Sequence, residues 1–410
     1  MSSKQKKHKH EAKQEPLAKR IVSKTFNALA SYTLACGLFA LLALLTFLGT
    51  LEQINSGIFD VQKKYFESFF LVHNLFGKIP VLLPGVYLLL ILLTINIVLG
   101  GVIKLRKSPS RIGILISHLG IVLLIAGGFI KFQLASDGHA TLAEGESASE
   151  YESYFTWELA IAKEGTLQRT EYLVPEEHFR QASPENRITF THDALPFNVS
   201  LTGYHRNSEP VNVNRTPANG ELVVDGFYLH PTPLEKEAER NVSGAYAEIT
   251  DKATGETKQA LLWGFEKMPF AFQQGNDVWS VALRKKRYPL PFTVRLDKFT
   301  HELHPRTQMA KIFRSDVTKT ENGIAQQHKI SMNEPLRHKG YTFYQASWIP
   351  ADPAAGRPVM SSFAVTKDPA DRIPLYACIV ITVGLLLHFG QKLVVYLRRE
   401  QKRIQQEVLA

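Results

Sequence analysis

The sequence predicts a membrane protein of four transmembrane α-helices, three N-terminal and one C-terminal, with a large outer β-rich domain between the third and the fourth. Three observations predict it. Four long apolar blocks are almost free of charge. Lys and Arg far outnumber Asp and Glu in the segments that flank those blocks on one side. Residues 132–372 lack long helical periodicity and carry alternating, turn-bounded runs of strand type.

The apolar blocks are about 28–51, 79–103, 112–130 and 373–397. None contains Asp, Glu or Arg, and the single Lys is Lys392, near the end of the fourth. A helix rising 1.5 Å per residue needs about 20 apolar residues to cross a hydrocarbon core of roughly 30 Å, so each block is long enough. The first is too long for a cleavable signal peptide and lacks a small-residue exit.

The net charge of +10 has a location. Residues 1–24, the loop 104–111 and residues 392–410 hold 17 of the 48 Lys and Arg, with only Glu11, Glu15, Glu400 and Glu407 among them. The rest of the chain is slightly acidic. Basic residues in the short segments next to spans mark the cytoplasmic side, so the charge reports membrane orientation and not nucleic-acid binding. Both termini are then cytoplasmic and the β-rich domain is outside, periplasmic for a bacterial inner membrane.

Residues 1–25 read as a basic cytoplasmic tail, in which His8 and His10 are solvated rather than metal-binding. The outer loop 55–78 carries Phe59, Tyr65, Phe66, Phe69, Phe70 and Phe76 and reads as a short amphipathic helix at the interface. In the outer domain, the alternating stretch 245–263 with a Gly-containing turn reads as a hairpin, and 291–299 and 340–348 are of the same type. A β-sandwich or curved open sheet suits such a domain. The two cysteines, Cys36 and Cys378, lie in spans one and four, so the outer domain has no disulfide framework and no thiol–disulfide chemistry.

A histidine inside a bilayer calls for a functional explanation. His118 lies six residues into the third block, about 9 Å from its cytoplasmic edge, and His388 lies four residues before Lys392, about 6 Å in. Both fall in the inner half, close enough in depth to line one pocket. An interhelical hydrogen bond is one role for them, and axial ligation of haem iron is another. Gly120, Ala126, Gly127 and Gly128 admit a flat macrocycle or a second helix equally well. Asn96 and Thr46 read as packing residues. No Walker loop, dinucleotide fingerprint, GxSxG, HExxH or CxxCH occurs. Of nine histidines between 139 and 338, only His301 and His304 are close in sequence, and on a strand they face opposite ways.

Several segments in order resemble the ResB family of cytochrome c biogenesis, system II. Span one exits through Gly49, Thr50 and Gln53. Span three carries His118 in a His-Leu segment. The outer domain has Phe313, Ser315, Asp316 and Val317, then Asn333, Pro335, Leu336, Gly340, Phe343, Tyr344 and Gln345. Asp368 and Pro369 precede span four, with Ala370 where the family has glycine. The resemblance implies part of a haem lyase (cytochrome c synthetase) complex rather than a stand-alone enzyme. It implies haem b as the transported substrate, His118 as an axial ligand to the iron, and His388 as a second cofactor-binding candidate. It also implies two protein partners, apocytochrome c and a ResC/CcsA-type tryptophan-rich membrane protein; the outer domain would then bind or position the apocytochrome, for which its strand edges offer strand addition, or brace the partner's outer loops. With only four Trp, this sequence has no dense tryptophan cluster of its own. Two other classes remain open from the residues alone: a structural assembly factor without haem, and a membrane-anchored outer-domain binding or sensor protein.

Overall fold

A computed structural model describes residues 17–75, 77–165, 170–303, 305–306 and 310–409. His8, His10, Phe76 and His304 lie outside the described residues. The chain divides into two compact units, residues 1–54, 61–133 and 370–410, and residues 55–60 and 134–369.

The first unit is helical. Four of its helices are long and apolar enough to cross a membrane. Helix α1 (Leu17–Leu29) precedes them and takes in the end of the basic tail, whose first 20 residues the sequence reads as disordered. Leu17, Ile21, Val22, Phe26 and Leu29 recur at helical spacing there, a pattern masked by the lysine run before it. The chain breaks at Ala30–Ser31 and restarts as α2 (Tyr32–Glu52), with Ser31 in an extended conformation and its hydroxyl accepting from the Leu34 amide at 3.2 Å.

The segment after α2 differs from the interfacial helix expected over 55–78. Helix α3 (Ile58–Val61) runs into a π-helical turn, Gln62–Phe66, and the chain then forms a hairpin, Phe70–Leu75 against Ile79–Pro84. The second candidate span therefore starts at Val86 and not at 79. Pro80 and Pro84 explain the correction: proline lacks an amide proton and suits an edge strand, and Gly85 then caps the helix start. Tyr65 is fully buried, with its hydroxyl 2.6 Å from His73 Nδ1 and 3.3 Å from Glu52; burial, then Glu52, push its phenol up to about 12.

Helix α4 (Val86–Asn96) continues as a π-helix, Ile97–Ile103. Helices α5 (Ile112–Leu134) and α6 (Ile373–Leu409) pack antiparallel through glycines spaced by seven. A Cβ on Gly113 would lie 2.6 Å from the Gly384 carbonyl oxygen, one on Gly120 3.0 Å from the Ile381 amide, and one on Gly127 3.0 Å from Ile373 Cβ. Gly120 and Gly127 thus serve close helix approach. Nothing lies within 4 Å of a Cβ on Gly128.

The second unit is built of strands. A ten-stranded sheet is organised on two long antiparallel neighbours, Ser147–Lys163 and Asp277–Leu303. A four-stranded sheet includes the hairpin Gly244–Asp251/Thr257–Trp263 that the sequence alternation implies, with Gly244 opposite Trp263. Each long strand serves two cores in succession. Trp157, Leu159, Ile161, Trp279, Val281 and Leu283 pack with residues of the four-stranded sheet, sandwich-fashion. Tyr151, Phe292, Val294 and Leu296 enter a second core with Val317, Phe343 and Phe363. Residues 57–60 join this unit: Phe59 stacks on Phe155 at 4.2 Å, and Asp60 pairs with Arg206 at 3.0 Å.

Candidate functional site

The helical unit holds a cavity of about 1010 Å³ lined by α2, α4 with its π-helical end, α5 and α6. His118 and His388 both line it. The two histidines singled out by the sequence are therefore brought to one space.

Local geometry prepares that space. Asn96, buried at the end of α4, donates to the Leu29 carbonyl at 2.6 Å and the Ser31 carbonyl at 3.0 Å, and so satisfies acceptors freed where α1 stops. Thr46 bonds its own helix, at the Leu42 carbonyl. Gly100 lets the π-helical end approach Ala30, whose carbonyl oxygen would lie 3.0 Å from a Cβ there. Gly101 does the same for His118: a Cβ on it would stand 2.7 Å from His118 Cδ2. A π-helical turn shifts the hydrogen-bond register by one residue and is frequent at functional sites. Here it turns the glycine pair toward the helix break and the imidazole.

His118 Nδ1 lies 2.8 Å from the Ile114 carbonyl oxygen, one turn back on α5. A carbonyl only accepts, so Nδ1 is the donor, and in the neutral ring Nε2 then keeps the open lone pair. That tautomer is the one a metal-ligating imidazole needs. His388 sits over Gly113, where a Cβ would lie 2.6 Å from its amide nitrogen. Its Nδ1 is buried and has no hydrogen-bond partner among the described residues. Gln391 donates to the Pro109 carbonyl at 3.1 Å, and its buried Oε1 also lacks a partner. Buried polar atoms are nearly always paired, so two orphans on one cavity mark a place where a ligand or water completes the bonding.

The walls are otherwise mostly apolar, from Phe39, Leu93, Ile97 and Ile121 among others. Arg111, Lys392 and Arg399 line the cavity as well, and among the described residues no Asp or Glu does. His388 is level with Gly113, so His118 lies about 7.5 Å further along α5 from the end that carries these cations. Sequence reasoning placed the two histidines but missed Gly101, Arg111, Gln391 and Arg399. The signal available was the adjacent glycine pair at 100–101 inside an apolar block.

In the β-rich unit, Ser315 donates to Gln345 Oε1 at 2.6 Å, and Gln345 Nε2 donates to Ser361 at 2.8 Å, all three buried. Lys339 and Gly340 both have positive φ and form the two-residue turn between Leu336–His338 and Tyr341–Ile349, a turn that favours glycine. His301 stacks against Trp348 at 4.7 Å. No group of three or more metal-ligating side chains occurs among the described residues.

Residues 262–357, which include all of these last residues but Ser361, match the ResB-like family. Over these residues the chain is ResB-like. The resemblance read from Ser315, Leu336, Gly340, Phe343 and Gln345 thus falls on a buried polar network, a hairpin turn and a core. The chain is similar to protein NrfI of Wolinella succinogenes, 21% identical over 288 residues, 69% of this chain and 27% of that protein. It is similar to the cytochrome c biogenesis protein CcsB of Synechococcus sp., 41% identical over 56 residues, 14% of this chain and 13% of that one. To CcsB of Microcystis aeruginosa it is 31% identical over 80 residues, 19% of this chain and 18% of that one. The chain thus spans about a quarter or less of the length of these relatives. His118 and His388 lie outside the ResB-like segment.

Proposed function

We propose that this protein is a membrane component of cytochrome c biogenesis of the system II type, and that it helps move haem b across the membrane for attachment to apocytochrome c. Two findings support the family part: the ResB-like segment, and relatives that carry cytochrome c biogenesis in their names. One observation carries the haem part. Two intramembrane histidines on different helices line a single, largely apolar cavity, and one of them is held in the tautomer that leaves Nε2 free.

In this reading haem enters from the side that carries the basic segments, taken as cytoplasmic. The apolar walls accept the macrocycle, and His118 Nε2 ligates the iron. His388, with its unpaired Nδ1, is the second ligand of this chain or yields that place to a histidine of a tryptophan-rich ResC/CcsA-type partner. The β-rich domain faces the periplasm and positions the apocytochrome or the partner's loops. The chain acts within a synthetase complex in the bacterial inner membrane, and both its termini are cytoplasmic.

The test is maturation of a c-type cytochrome in cells that lack the native chain. His118→Ala is expected to abolish covalent haem on the cytochrome while the variant still accumulates in the membrane. Added imidazole is expected to restore part of it by occupying the vacated ligand position. Wild-type maturation by both His118→Ala and His388→Ala would remove the haem role and leave a structural one.

A further inference from the structure

Basic residues at one end of a bundle are ordinary consequences of membrane orientation. Three of them here differ from the rest. Arg111 at the start of α5, and Lys392 and Arg399 on α6, line the histidine cavity. Arg106 and Lys107, in the same short loop as Arg111, do not. No carboxylate pairs with any of the three among the described residues, whereas Arg403, further along α6, pairs with Glu400 and Glu407. Among the described residues, the cavity wall offers them no acid either. All three are exposed, and three cations of one sign at the open end of a largely apolar cavity create a potential that attracts an anion.

Their position along the bundle adds a second constraint. Arg111 is seven residues before His118, about 10.5 Å along α5, and Lys392 is four residues after His388, about 6 Å along α6. The cavity therefore runs from a cationic mouth, past His388, to His118. The ligand that fits has an anionic end, an apolar body and an iron-ligating point set back from the charge by roughly that interval. The reach from a porphyrin's iron to its two propionates is of this order.

We propose that Arg111, Lys392 and Arg399 form a carboxylate receptor that holds the propionates of haem and so fixes which edge of the macrocycle points to the cavity mouth. This rests on the haem reading above. Arg111 and Arg399 present guanidinium forks suited to bidentate carboxylate pairing, and Lys392 supplies a point charge. The same chemistry would also take an anionic lipid headgroup, so the test separates the two.

The experiment uses the full chain in nanodiscs of zwitterionic phosphatidylcholine. Metal-free protoporphyrin IX, its dimethyl ester and haem are titrated against wild type, the Arg111→Gln/Lys392→Gln/Arg399→Gln variant, the charge-retaining Arg111→Lys/Lys392→Arg variant and the off-cavity control Arg106→Gln. The triple variant is expected to weaken protoporphyrin and haem binding by about tenfold or more. Ester binding should be unchanged, Arg106→Gln should match wild type, and the charge-retaining variant, in which a point charge replaces the Arg111 fork, should keep most of the binding that the triple variant loses. Equal affinity of the triple variant and wild type for protoporphyrin overturns the receptor, and leaves these cations to lipid or to orientation alone. Equal losses for acid and ester also overturn it, since a misfolded cavity would do the same. Charge-dependent protoporphyrin binding without a His118-dependent haem band supports the receptor and overturns the iron-ligation reading instead. Binding of neither porphyrin by wild type overturns both.

Discussion

In the proposed haem role, His118 depends on a neighbour that decides where its proton sits. The Ile114 carbonyl fixes Nδ1–H, and Gly101 makes room for the ring. Gly101→Ala should force a Cβ into the imidazole edge and cost about 1–3 kcal/mol, as overpacking does elsewhere, with a displaced haem band beside it. Thermal unfolding in detergent, followed with the visible spectrum, reads both. A second residue carries a pH signature. Burial holds the Lys285 ammonium at about 8 against an ordinary 10.5, although Glu176, Glu152 and Glu239 work the other way. Its amine stacks over Trp157 at 4.2 Å and donates to the Tyr154 carbonyl. Between pH 8 and 10.5 the unfolded chain binds the proton that the folded one has released, so this group adds stability as pH rises through that window. Unfolding midpoints measured across it should climb more in wild type than in Lys285→Met. The membrane histidines were legible in the sequence because charge-capable residues stand out in apolar blocks. Gly101 was not: the glycine pair at 100–101 marks a close approach, but nothing local says which side chain across the bundle it meets.

At the scale of elements, the four apolar blocks were readable from length and charge alone. The start of the second was not. Residues 79–84 are apolar enough for a span, and only Pro80 and Pro84 separate a strand from a helix there. The π-helical end of α4 was equally hidden, because its hydrogen-bond register answers to packing against Ala30 and His118 rather than to composition. The α5–α6 pairing depends on glycines at every seventh residue. Gly113→Val is expected to separate these helices and lower the unfolding midpoint by the equivalent of about 1–3 kcal/mol, whereas Gly128→Ala, in open space, should change it by less than about 0.5 kcal/mol. Equal effects of the two would sink the packing account. In the β-rich unit, Gln345→Leu strands Ser315 and Ser361 in the core and should cost about 1–3 kcal/mol, the penalty of buried polar groups left unpaired.

At the scale of the molecule, the helical unit supplies a cavity with two histidines and a cationic mouth, and the ResB-like segment lies in the other unit. The sheet class of residues 132–372 was legible from alternation and turns. The two successive cores along Ser147–Lys163 and Asp277–Leu303 were not, since strands of 17 and 27 residues change partners along their length and no periodicity reports that. The account as a whole stands on haem at His118. The direct measurement is the absorption spectrum of the protein purified from haem-replete cells, as wild type, His118→Ala and His388→Ala. A Soret band in wild type that is lost or shifted in His118→Ala is the expected result. An unchanged band in His118→Ala, or no band in wild type, would contradict it.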